Sequence, residues 1–182
     1  MNSRLDNILM VKLRKDDFSQ WKSSLLEIYL NSFTSGEYAQ YISEEDAEKT
    51  WQKYAEIGEI WLALWDKQLA GALVAFPLIF DEDFPAQKEI AAEKTMYIAE
   101  LMTNTPFQGK GIGTRLAHYF LENRDRNNYQ TVAIRVWEKN APALSLYRKL
   151  GFQDTGITIT QTKYRTEKEI FTMRKIYLVM PP

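Results

Sequence analysis

The chain has 182 residues, enough for one domain, expected to span 1–182, with a sizeable core. Its 23 Lys and Arg against 24 Asp and Glu leave a net charge of −1, so no strong nucleic-acid or membrane field is implied. With no cysteine and one histidine, disulfides, thiolate or His-cluster metal sites and a Cys nucleophile are excluded.

Along the chain, strand and helix patterns alternate. Ile8–Leu13 reads as a first strand. Asp17 is placed to cap a helix over Phe18–Phe33, with Trp21, Leu25, Ile28 and Tyr29 on one face. Ser43-Glu44-Glu45-Asp46 resembles a capping box and opens a second helix through Tyr54. Ile60–Trp65 and Leu69–Phe76 read as a hairpin around Asp66-Lys67-Gln68. Residues 80–94 form a long polar connection with room for a short helix over 86–93. Thr95–Thr103 is the next strand. A glycine-rich loop follows, then a helix to about Arg126. Thr131–Trp137 sets Val132, Ile134 and Val136 against polar partners, as a half-buried strand does. A helix after Asn140 leads to two final antiparallel strands, Phe152–Thr160 and Ile170–Met180. There is no internal repeat. No apolar run approaches transmembrane length and no signal-peptide core is present, so a cytoplasmic protein is expected.

The most informative segment is Gln108-Gly109-Lys110-Gly111-Ile112-Gly113. Alternate glycines between a strand and a helix allow a sharp turn whose N–H groups face a ligand. The helix start adds unpaired donors and a positive dipole end. Together they make a seat for a phosphate or pyrophosphate. A dinucleotide fingerprint needs a glycine where Thr114 stands, and no glycine here precedes Lys-Ser or Lys-Thr as a nucleotide P-loop requires. A second segment runs Asn140-Ala-Pro-Ala143-Leu-Ser-Leu146-Tyr147-Arg-Lys149-Leu-Gly151-Phe152. Asn140 suits a helix N-cap, and Pro142 tolerates the first turn. Ala143, Leu146 or Tyr147, and Leu150 fall at helical spacing, and Gly151 ends the helix. An ordinary capped amphipathic helix would account for every residue except the presence of Tyr147.

The first segment fits Q-x-x-G-x-G and the second fits N-x-x-A-x-x-L-Y-x-K-x-G-F. In this order and spacing they resemble the two signatures of the GCN5-related N-acetyltransferase (GNAT) superfamily, well over about residues 60–180 and by pattern alone over the first 55. The resemblance implies an α/β (α+β) fold with a mixed, mostly antiparallel central sheet flanked by helices, in the order βααβββαβαββ. It implies acetyl-CoA as cosubstrate and no metal, though another acyl-CoA is not excluded. The pyrophosphate would lie on the backbone of Gln108, Gly109, Lys110, Gly111, Ile112, Gly113 and Thr114, with Lys110 and Arg115 as countercharge. The pantetheine arm would follow Leu101, Met102 and Thr103, beside a slot where a bulge splays that strand from the one at Thr131–Trp137. Asn140 would bond the arm or only cap its helix.

On this resemblance Tyr147 is the general acid for the leaving thiolate, with a core aromatic as the alternative. The amine must also lose a proton. Glu100 is the only acidic residue in the strand before the loop, eight positions before Gln108, whereas many members carry the key Glu where Ala99 or Tyr97 stands. Glu100 therefore faces the site or pairs with a neighbouring strand. Glu59 and Asp81-Glu82-Asp83 are further carboxylates, although charge runs in loops are usually solvated. His118 reads as a packing or surface residue. Trp21, Trp51, Trp61, Trp65 and Trp137 read mostly as core. Some of Phe33, Tyr38, Tyr41 and Phe84 would line an acceptor pocket. The expected partner is an amine-bearing acceptor, a small molecule or a protein N-terminus or lysine, with a homodimer allowed for and neither nucleic acid nor membrane. The alternative functions are a non-catalytic acyl-CoA-binding sensor or scaffold and, more remotely, a nucleotide-binding enzyme.

Overall fold

The structure is a computed structural model, and it describes residues 7–36, 39–85 and 89–182. Its elements in chain order are β1 (Ile8–Lys12), α1 (Phe18–Phe33), α2 (Glu44–Ile57), β2 (Glu59–Trp65), β3 (Gln68–Pro77), β4 (Thr95–Thr103), α3 (Ile112–Asn123), β5 (Thr131–Trp137), α4 (Ala141–Lys149), β6 (Gln153–Tyr164) and β7 (Ile170–Met180). The order βααβββαβαββ is the expected one. The seven strands form one sheet in the order β1-β2-β3-β4-β5-β7-β6. β4 and β5 pair in parallel, whereas β1 with β2, β5 with β7 and β6 with β7 are antiparallel.

The chain divides into two compact units, residues 1–74 with 100–123, and 75–99 with 124–182. In the first unit, α1 and α2 turn Leu25, Ile28 and Trp51 inward, and β2 and β3 bury Leu62 and Leu73. α3 buries Ile112, Leu116, Ala117, Phe120 and Leu121, the spacing of one helical face. Trp61 meets the rings of Tyr119 and Phe120 edge-on, at 5.8 and 5.6 Å. The β2–β3 turn is tighter than expected. Only Asp66 and Lys67 lie in it, with φ of 48° and 67°, as a two-residue hairpin turn of the I′ kind requires.

Helix ends also differ from the sequence reading, and α2 runs on past Tyr54 to Ile57. Ser43 does cap α2: its hydroxyl accepts from the Asp46 N–H at 3.1 Å and donates to the Asp46 carboxylate at 2.7 Å. Asp17 does not cap α1. Its own backbone is already helical, which turns the side chain away from the first N–H groups. The carboxylate instead takes both Arg14 Nε at 2.7 Å and Nη2 at 3.1 Å. α3 stops at Asn123 rather than near Arg126. Asp125 explains the stop, because its carboxylate accepts from the Asn127 and Asn128 N–H groups at 3.1 and 3.2 Å and fixes a turn.

In the second unit, β5 and β7 bury Val132, Ala133, Ile134 and Leu178. α4 begins where Asn140 Oδ1 accepts from the Ala143 N–H at 3.1 Å. It ends in a Schellman motif: Phe152 N–H donates to the Tyr147 carbonyl and Gly151 N–H to the Arg148 carbonyl, both at 3.0 Å. The buried face is Leu144 with Tyr147, while Ala143, Leu146 and Leu150 are half-buried. The expected short helix over 86–93 begins at 86–88, outside the described residues; the last part of the connection forms a 3-10 turn, Ala92–Lys94.

Gly71 in β3 sets how closely strand and helix approach. A Cβ there would lie 2.9 Å from both the Met102 carbonyl oxygen and Ile112 Cγ2. Gly71→Ala must therefore displace backbone of β4 or the first turn of α3. We expect it to lower the unfolding free energy by about 1–3 kcal/mol, read from the urea midpoint. An unchanged midpoint would contradict this close approach.

Candidate functional site

In the first unit, β4 delivers the chain into the glycine loop. Asn104 fixes the exit. Its N–H donates to the Ala70 carbonyl at 2.9 Å, its Nδ2 to the Leu69 carbonyl at 3.1 Å, and its Oδ1 accepts from the Thr105 N–H at 2.9 Å. A 3-10 turn, Thr105–Phe107, follows. Gly109 and Gly111 then take φ of 72° and 74°. This is the left-handed region that side chains resist, and a Cβ at either position would meet no protein atom within 4 Å. Arg115 N–H donates to the Gly111 carbonyl at 3.0 Å, so Gly111 caps α3. The N–H groups of Ile112, Gly113 and Thr114 stand in the first turn, where a helix offers them no partner. The loop thus presents backbone donors beside open space on the Cβ side of two glycines, the form of an anion-binding nest.

The flanking cations differ from each other. Arg115 is exposed. Lys110 folds back: its Nζ donates to the Pro106 carbonyl at 2.9 Å and lies 5.1 and 5.3 Å from the ring centres of Trp65 and Phe107, themselves stacked at 5.6 Å. Thr103 Oγ1 lies 3.4 Å from where a Gly113 Cβ would stand. Along β4, Met102 is buried, and Leu101 and Thr103 are half-buried.

Glu100 is half-buried, and its Oε1 accepts from the Tyr54 hydroxyl of α2 at 2.7 Å. This partner comes from a helix. Behind Tyr54 stands an aromatic column. Tyr54 meets Trp51 edge-on at 5.7 Å, and Trp51 meets Tyr29 at 6.2 Å. Burial, and next the charge of Glu100, push the Tyr29 hydroxyl well above the ordinary tyrosine range. Glu59 is committed elsewhere, its Oε1 accepting from Lys12 Nζ at 2.6 Å.

In the second unit, Tyr147 is buried, with its ring 6.0 Å from Phe152. Its carbonyl also caps its own helix. The β4–β5 ladder runs from Thr95↔Thr131 to Ile98↔Ile134 and stops there, although β5 continues to Trp137.

Asp81 of the acidic loop is not solvated, contrary to the sequence reading, whereas Glu82 and Asp83 are exposed. Asp81 and Arg135 are almost fully enclosed, with 7% and 12% of their side chains exposed. Arg135 Nη1 donates to Asp83 Oδ2 at 3.0 Å and the Tyr177 hydroxyl at 2.9 Å, and stands 3.4 Å from Asp81 Oδ1. The Tyr177 hydroxyl donates to Asp81 Oδ2 at 2.7 Å, and Gln161 Nε2 donates to Asp83. Phe84 packs edge-on against Tyr177 at 5.1 Å. Desolvation works against the Arg135 charge, but Tyr97, Asp81, Tyr177 and Asp83 more than offset it and hold the guanidinium protonated. Burial pushes the Tyr177 hydroxyl up in turn.

Three of these residues escaped the sequence reading as functional. Gly71 carried a signal, an isolated glycine inside a strand. Tyr54 was only a helix residue, and Arg135 only the polar side of an alternating strand. His118 is exposed; Trp51 and Trp61 are buried, and Trp21, Trp65 and Trp137 half-buried. Of the aromatics suggested for an acceptor pocket, Phe33 and Phe84 are half-buried, Tyr41 is exposed, and Tyr38 lies outside the described residues. Among the described residues there is no group of three or more His, Asp or Glu fit to hold a metal, and no helix long and apolar enough to cross a membrane.

The model of the acetyltransferase (GNAT) family matches residues 22–152. The match starts inside α1 and ends at Phe152, so it takes in the helices that the motifs alone did not reach. Among solved structures the chain resembles the ribosomal-protein-alanine N-acetyltransferase of Brucella melitensis, at 15% identity and a TM-score of 0.68, covering 96% of this chain and 99% of that one. It resembles a Salmonella typhimurium protein solved with its cofactor acetyl-CoA, at 14% identity and a TM-score of 0.67, covering 97% and 94%. An N-acetyltransferase of Staphylococcus aureus Mu50 matches at 13% identity and a TM-score of 0.67, covering 97% and 99%.

Arg135→Ala would leave Asp81 enclosed without its cation. We expect a loss of about 3–5 kcal/mol of stability and a much smaller further loss when Asp81→Leu is added. Urea unfolding of the single and double variants checks this. Additive losses would mean that the two side chains do not depend on each other.

Proposed function

This chain belongs to the acetyltransferase (GNAT) family, and we propose that it transfers an acetyl group from acetyl-CoA to a primary amine by direct attack in a ternary complex. The carrying observation is the loop at the start of α3, where Gly109 and Gly111 hold left-handed backbone and leave their Cβ side open. That cradle fits a pyrophosphate, held by the backbone of residues 108–114 with Arg115 as countercharge. Lys110 would join only by leaving its carbonyl and ring contacts. Leu101, Met102 and Thr103 would guide the pantetheine arm, and Asn140 bonds the arm if its amide can do so while capping α4.

Bound acetyl-CoA supplies the thioester carbonyl that the amine nitrogen attacks. Glu100 accepts the amine's proton at a carboxylate oxygen. As the C–N bond forms and the C–S bond breaks, the Tyr147 hydroxyl gives its proton to sulfur. Both side chains then exchange protons with solvent, so the net products are the amide and free CoA thiol. No covalent enzyme intermediate is required, since the chain has no cysteine. The acceptor is a small amine or a protein N-terminus or lysine. A cytoplasmic setting and a homodimer belong to the same proposal. The rival reading, a non-catalytic acyl-CoA sensor, draws on the position of Glu100, eight residues before Gln108 rather than nine or eleven.

The test is release of free CoA thiol from acetyl-CoA with spermidine, tyramine, glucosamine and an alanine-starting peptide. Turnover with at least one is expected, and binding without turnover on all four would favour the sensor. With the fastest acceptor, Tyr147→Phe should lower kcat on the order of 10²-fold and leave acetyl-CoA affinity nearly intact. An unaltered kcat would return Tyr147 to a purely packing role.

A further inference from the structure

We propose that Tyr54 is the positioning residue for the amine's proton acceptor: its hydroxyl, donated to Glu100 Oε1, orients that carboxylate and keeps it anionic. The inference rests on the reading of Glu100 as the proton acceptor. Its ground is geometric. Tyr54 and Glu100 are 46 positions apart in sequence, and the 2.7 Å bond between them ties α2 to β4 just before the loop that opens α3. The ring of Tyr54 is buried, and Trp51, itself fully buried, holds it edge-on at 5.7 Å. Tyr29 and Phe33 of α1 extend the column, with rings 4.9 Å apart. A phenol so constrained has few directions in which to point its O–H, and one of them is taken by the carboxylate.

The groups around Glu100 sharpen the consequence. From α2 it meets Tyr54. From α1 it meets the field of Tyr29, whose hydroxyl is held neutral by burial and by the Glu100 charge. Asp46 of α2 acts on the Tyr29 hydroxyl in the same sense. β3 carries no ionisable side chain, and Arg115 and His118 of α3 are exposed. A hydrogen bond donated to a carboxylate favours its charged form. Tyr54 is therefore a donor that works against burial and negative surroundings, and without it Glu100 would take up a proton at higher pH. A helix tether with no chemical role would leave the ionisation of Glu100 outside the reaction.

The experiment is a carbon-13 NMR titration of side-chain carboxyls in the full chain, wild type and Tyr54→Phe, with Glu100→Gln identifying the Glu100 resonance. In Tyr54→Phe the Glu100 carboxyl should titrate about one pH unit higher. The acidic limb of kcat/KM, measured with the fastest amine of the panel, should move up by the same amount, while KM for acetyl-CoA stays unchanged. The ring is retained, so the melting temperature reports any loss of packing separately. An unmoved titration, or an unmoved limb beside a lowered melting temperature, overturns the positioning role. The reading beneath it fails differently: if Glu100→Gln leaves the acidic limb intact, Glu100 is not the proton acceptor. If Glu100→Gln abolishes that limb and Tyr54→Phe does not shift it, only the role of Tyr54 is lost.

Discussion

Two left-handed residues, Gly109 and Gly111, turn β4 into α3, and the first unit depends on that turn. A side chain at either position would resist the backbone angle that leads the chain into the first turn of α3. The turn needs a firm base. Asn104 supplies it with three hydrogen bonds, two of them to carbonyls of β3. Gly71 supplies it by being too small to push β4 and α3 away. Three glycines thus act in different ways, two through backbone angle and one through lack of volume. The proposed anion seat rests on both.

The second unit is organised around a buried charge. Arg135 gathers Asp81, Asp83 and Tyr177, and Tyr177 closes the ring by donating to Asp81. Enclosing ions is costly unless their hydrogen bonds are satisfied. Here the carboxylates, the phenol and Gln161 supply several partners. The network fastens a long connection between strands to β5, β6 and β7, where a polar loop of that length would otherwise hold few contacts. Its value lies in fixing that connection, since apolar side chains of similar size could match its stability.

Much of this was legible in the sequence because it is local. β4, β5, β7 and α1 have the expected bounds, since period-2 and period-3.6 burial is written into neighbouring residues. The Asn140 cap and the Gly151 stop are local too. What escaped was tertiary. The Arg135 bonds to Asp81 and Asp83 span 54 and 52 residues, and Tyr54 finds Glu100 across 46. No periodicity connects such positions. An acidic loop and a lone arginine each look solvated when read separately. The missed Asp17 cap is a subtler case: the residue type was right, but a 3-10 turn ahead of α1 had already made its backbone helical and Arg14 claimed the carboxylate.

The central claim is that the open side of the glycine turn is the seat of an acyl-CoA pyrophosphate. Calorimetric titration of acetyl-CoA into the wild type and Gly111→Val tests it most directly, with NADH and ATP as competitors. A valine there must adopt a strained backbone angle and would project into the space the ligand needs. The account predicts saturable binding of acetyl-CoA, none of NADH or ATP, and at least a roughly tenfold loss of affinity in a variant that remains folded. Equal affinity in both proteins, or a preference for the dinucleotide, would contradict it.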